Sequence, residues 1–162
     1  MIKKQPVGIW INVIAAILTL ISLIVYGVNI SSEGYFKNAS VGNLIAYCTI
    51  AAIMLGLVIV LGQLKFDGTY GILVEVVSGI LRIAVPVLLT LGLVSLIGAR
   101  AEGLGFIFFS NKDVLLEVQT AANLSSATGT IANMICLGIA AIVAMVASFF
   151  KVRKYASAIT IE

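Results

Sequence analysis

Apolar residues run along this chain in four long blocks separated by polar breaks. Blocks at about 7–28, 43–63, 71–98 and 130–150 each hold the roughly 20 mostly apolar residues that a helix needs to cross a bilayer. Trp10 near one end of the first block and Tyr26 near the other suit the two membrane interfaces. The pattern predicts an all-α polytopic membrane protein, a four-transmembrane-helix bundle forming one membrane domain over residues 1–162. Lys3 and Lys4 ahead of the first block resemble the start of a signal peptide. The apolar run is longer than the roughly 7–15 residues of a signal core, and no small-x-small site follows, so it reads as an uncleaved anchor.

The breaks carry their own information. A short one at 62–70 contains the turn dipeptide Asp67-Gly68 and makes spans two and three an antiparallel hairpin. The other two, at about 29–42 and 99–129, read as outer loops. Within the longer, the run from Gly103 to Phe109 is apolar and glycine-flanked, suited to the interface or to the top of the bundle. Asn111-Lys112-Asp113 reads as a helix start, with Val114, Leu115, Val118, Ala121, Ala122 and Ser125 at helical spacing behind it. Either a short outer helix precedes the fourth span, or that span begins early and projects above the bilayer. The four spans share no internal repeat, which gives an inverted-repeat transporter little support.

Composition sharpens the class. Of 162 residues, 61% are hydrophobic and only 10% charged, against roughly 45–50% and 25% in soluble domains. So few charges do not cover a water-facing surface or sustain a disordered chain. The absence of histidine removes histidine acid/base chemistry, histidine metal sites and histidine-ligated haem. Cys48 and Cys136 are far apart, each in an apolar run, and read as small buried residues rather than a redox pair. There is no catalytic constellation, no cofactor motif and no metal-ligand cluster, so the expectation is a non-enzyme without cofactors.

The formal charge of +3 comes from residues flanking the spans, not from a nucleic-acid-binding patch. Lys3, Lys4, Lys65, Lys151, Arg153 and Lys154 fall on one side, and Lys37, Arg100 and Lys112 on the other. That bias places both termini in the cytoplasm of a multi-pass plasma-membrane protein.

Glu75 and Arg82 are the ionisable residues that fall inside a span. Seven positions apart, they return to nearly the same helix face after roughly 10.5 Å of rise. Ser78 and Gly79 lie between them, with Pro86 and Thr90 beyond. This polar stripe puts Arg82 well inside the bilayer, at a cost of about 2.5–3.5 kcal/mol on insertion scales. Pro86 also takes away the backbone donor that the Arg82 carbonyl would otherwise meet. Three roles stay open: pairing with each other or with neighbouring helices that locks the bundle, contact with a partner protein, or a path for an anionic ligand, lipid headgroup or ion.

Small residues suggest where helices approach closely. Cys48, Ala52 and Gly56 form one ladder, and Ala140, Ala144 and Ser148 another, making spans two and four candidates for close packing, within one chain or between chains. Asn12, Thr19 and Ser22 are scattered polar points on the first span, and Asn12 needs a partner or access to water. Phe106, Phe108 and Phe109 in the long outer loop suit a protein partner or the membrane interface.

A short lysine-containing start, a polar outer loop with Tyr35 and Phe36, Gly98-Ala-Arg100 closing the third span and Val146-Ala-Ser-Phe-Phe150 closing the fourth together give a resemblance over nearly the whole chain. The chain resembles a group of small four-span membrane proteins of Gram-positive gut bacteria. The resemblance implies the fold and a bacterial plasma membrane, no established activity, and a link to a cell-surface carbohydrate enzyme. The leading expectation is an accessory or scaffold subunit surrounded by membrane lipids, associating with another membrane or cell-surface protein or with itself. The alternative is a small transporter, channel or lipid-binding protein that uses the stripe.

Overall fold

The computed structural model describes residues 6–64 and 68–152. It is all helical among these residues: α1 (Val7–Ser31), α2 (Gly42–Gln63), α3 (Gly68–Phe109), α4 (Lys112–Val118) and α5 (Ala121–Ser148). α1, α2, α3 and α5 are long and apolar enough to cross a membrane. α1 packs on α5 and α2, and α3 packs on α2 and α5, so α1 faces α3 and α2 faces α5 across the diagonals of a four-helix bundle. Close packing of spans two and four within one chain is therefore corrected, because α1 and α3 stand between them.

Polarity in the bundle is turned outside in. α1 buries Gly8, Asn12, Ala15, Thr19, Ser22, Tyr26 and Asn29, an unbroken four-three spacing that keeps one stripe facing its neighbours. Its outward positions are Ile14, Ile17, Ile24 and Val28, the last two 65% and 61% exposed. Lipid tails suit such a surface, while small and polar residues form the helix contacts. The polar stripe locks α1 to α5. Ser22 donates to Asn133 Oδ1 at 2.5 Å, Asn29 Nδ2 donates to the Ser126 carbonyl at 2.8 Å, and Thr130 donates back to Asn29 Oδ1 at 3.2 Å. Asn12 turns to its own helix and donates to the Gly8 carbonyl.

On α2 the packing face is Leu44, Cys48, Ala51, Leu55, Val58 and Gly62. The Cys48, Ala52, Gly56 ladder leaves this face: Ala52 is half-buried, and a Cβ at Gly56 would meet nothing within 4 Å. Small-residue spacing was a poor guide here because a helix surrounded by lipid carries small residues on either face. On α5, Ala140 and Ala144 are buried and Ser148 half-buried.

α3 is the organising element, 42 residues long. Its buried positions, from Ser78 through Val85, Leu89, Gly92, Leu96, Arg100, Gly103 and Ile107, keep one face inward well past the expected end at residue 98. The glycine-flanked run from Gly103 is thus a helix, not an interfacial loop. Here glycine serves close approach: a Cβ on Gly103 would lie 2.6 Å from the Phe36 ring. Phe36, Ile107 and Ala127 form a small core above the bundle. Before the fourth span the structure has both a short helix, α4, and an early start to the long one, α5. Asn111 caps α4 by accepting from the Val114 amide at 3.1 Å, and α5 starts early at Ala121, capped by Thr120. The expected outer loops shrink to residues 32–41 and two short turns.

Both described chain ends meet at one end of the bundle, where Gly8 lies against the Lys151 carbonyl and Gly62 against Val152. Ile9, Val58 and Val152 pack together there with Leu81. Arg82 is level with this end. Arg100 is level with the other, beside Tyr26 and Ala39. The two arginines are eighteen residues apart on α3, about 27 Å of rise, close to the roughly 30 Å hydrocarbon core of a bilayer. Arg82 therefore stands level with the end of the bundle where the described chain ends meet, and Glu75 lies two helical turns nearer the start of α3. Lys3, Lys4, Lys65, Arg153 and Lys154, on which the orientation expectation rests, and Asp67 of the expected turn lie outside the described residues.

Candidate functional site

The inward face of α3 brings Ser78, Arg82 and Pro86 to the place where α5 ends. Proline at 86 cannot donate to the carbonyl of residue 82. The Ser148 hydroxyl does so instead, at 2.7 Å, with the Ala144 carbonyl of its own helix as a second acceptor at 3.0 Å. The end of α5 leaves carbonyls without helical donors, and a cation there is favoured by the helix dipole. Arg82 Nη1 donates to the Phe150 carbonyl at 2.6 Å. One arginine thus receives a bond from α5 through its backbone and gives one back through its side chain.

Its guanidinium is incompletely used. Arg82 Nε is buried and has no hydrogen-bond partner. A cavity of about 100 Å³ opens beside it, lined by Glu75, Ser78, Arg82 and the α5 terminus from Ser148 to Val152. Glu75 is exposed and shares this cavity, but Lys37 with Glu33 is the ion pair formed among the described residues. The stripe therefore does not close as a Glu75–Arg82 pair; Arg82 is held by α5. Ser78 is 3% exposed and borders the same space.

Pro86 and Thr90 leave the polar cavity and line an adjoining groove of about 400 Å³ with Ile83, Val87, Leu91 and Met145. Ser148 and Phe149 belong to both spaces. The groove is almost wholly apolar in its lining and runs along α3 and α5 toward the bundle centre. A polar chamber with a cation, an anion and hydroxyls thus adjoins an apolar furrow.

The aromatic residues expected to make contacts divide. Phe108 is half-buried against the Phe36 cluster, Phe106 stands 5.9 Å from Tyr35 between ring centroids, and Phe109 is 87% exposed. The sequence places Arg100 at the outer-loop boundary, and the structure buries it at 3% exposure. It lies over the Phe36 ring at 4.6 Å and donates to the Ala39 carbonyl, with the Tyr26 phenol beside it. Tyr26 in turn accepts from the Val41 amide at 2.5 Å. The available signal was the eighteen-residue interval from Arg82, five full helical turns that return to the same face.

Four helices of spanning length and apolarity, with aliphatic side chains facing outward, mark the chain as an integral membrane protein. No family model, curated protein or solved structure matches it.

Proposed function

We propose that the protein is a non-enzymatic accessory subunit of a bacterial plasma membrane that docks another membrane or cell-surface protein. The observation that carries this is the start of α3. Before Arg82, α3 runs for fourteen residues from Gly68, about 21 Å. Tyr70, Leu73, Val76 and Ile80 on this extension are 75%, 59%, 54% and 62% exposed. A run of exposed apolar side chains along one helix suits a partner helix.

Site-specific photocrosslinking in native membranes tests it. A crosslinker at Leu73 should trap one discrete protein adduct in stoichiometric yield, and one at lipid-facing Ile142 should not. Adducts to lipid alone at both positions would overturn the reading.

A second reading, a small transporter, channel or lipid-binding protein, is favoured by the cavity at Arg82. The space between Arg82 and Arg100 is filled by Val85, Leu89, Leu96, Leu137 and Ala140. That filling supports the lipid-binding form of this reading over a conducting one.

A further inference from the structure

The chamber at Arg82 and the groove beside it have the two-part chemistry of one phospholipid. We propose that they hold a single ethanolamine phospholipid of the leaflet on the terminal side, its phosphate at Arg82, its ammonium toward Glu75 and one acyl chain along Pro86, Val87 and Leu91. This goes beyond the docking role and stands without it.

The order of groups along α3 argues for that occupant. Nearest the bundle lies the apolar groove, which shares Ser148 and Phe149 with the chamber. Next comes Arg82, with Nε buried and unpartnered beside the chamber. Charge-assisted bonds from a guanidinium suit a phosphate. Ser78 adds a hydroxyl on the same chamber wall, and exposed Lys151 a second cation. Last, on the water side, is Glu75, two turns beyond Arg82.

A purely anionic head would meet this carboxylate unfavourably. An ethanolamine head reads acyl chain, phosphate, ammonium in the same direction as groove, cation, anion. The level also fits: Arg82 stands beside the α5 terminus, at the end of the bundle where the described chain ends meet. A chamber of about 100 Å³ admits a small head, and the three methyl groups of choline would hinder approach to the Glu75 carboxylate.

Native mass spectrometry of the delipidated full chain tests the proposal. The protein is offered equal amounts of ethanolamine, glycerol and choline phospholipids with matched acyl chains. One lipid should be retained per chain, with ethanolamine favoured about tenfold, the yield of one charge-assisted bond. Arg82→Gln should lower retention of all three lipids about tenfold, and Glu75→Gln should abolish the preference while total retention persists. Leu91→Trp, at an exposed position that fills the groove without touching the core, should displace the lipid from a folded bundle. Equal retention of the three lipids, unchanged selectivity in Glu75→Gln, or full retention in Leu91→Trp would each overturn the proposal. So would displacement of the lipid by inorganic phosphate, which would make the chamber a site for a soluble anion.

Discussion

Ser148 on α5 donates its hydroxyl to the carbonyl of Arg82 on α3, the group that Pro86 leaves without a helical donor. A proline-made vacancy in one helix has become an attachment point for another. Ser148→Ala should cost about 0.5–1.5 kcal/mol. Pro86→Ala restores the amide at 86 to the Arg82 carbonyl, so the Ser148→Ala cost should shrink toward zero in the double variant. Thermal unfolding of the four proteins in one detergent gives the coupling energy. Additive costs would sink the compensation argument.

Arg100 offers a sharper test of buried charge. It has no carboxylate within ion-pair distance among the described residues and is held by the Ala39 carbonyl and the Phe36 ring. A lysine keeps the charge but loses the planar stack and the fork of donors. Arg100→Lys should therefore destabilise by about 1–2 kcal/mol, and the loss should concentrate in the 32–41 segment. Limited proteolysis should cut that segment faster, with the four-helix section still resistant.

Neighbouring glycines on α3 should respond with opposite signs. A Cβ at Gly103 meets the Phe36 and Tyr35 rings, whereas at Gly105 it meets nothing within 4 Å. Gly105→Ala should stabilise by up to about 1 kcal/mol through helix propensity. Gly103→Ala should cost about 1–3 kcal/mol through overpacking. Melting temperatures of the two variants in the same detergent decide it, and equal shifts would contradict the close approach of Phe36.

Four apolar blocks made the architecture legible, because lipid solvation demands length and apolarity and little else. The partners of Arg82 were not legible. They come from the end of α5, which is distant in sequence and is brought beside α3 only by the folded bundle. The spacing of Glu75, Ser78 and Arg82 did bring them to one chamber. Arg82 finds its partners at the end of the neighbouring helix α5 rather than in Glu75. Asn12, Thr19 and Ser22 read as scattered points on the first span, and Asn29 as the start of an outer loop. With Gly8, Ala15 and Tyr26 in the intervening places they form one regular stripe. Arg100 was hidden for a different reason: its partners Phe36 and Ala39 lie on a segment more than sixty residues away.

The separation of Arg82 and Arg100 makes a statement about the membrane itself. If these residues mark the two edges of the hydrocarbon, Glu75 and Glu102, both exposed, lie in water on opposite sides. Single cysteines placed at 75, 87, 94 and 102, in a background with Cys48 and Cys136 replaced by Ala, should then separate cleanly. A membrane-impermeant maleimide should label position 102 from the outside of intact cells. Position 75 should be labelled only after the membrane is opened, and 87 and 94, which face lipid between the arginines, should stay unlabelled. A span running from 71 to 98 would instead protect position 75 as well. Labelling of 75 and 102 from the same side would contradict both placements, because the straight run of α3 between them could not then cross the bilayer.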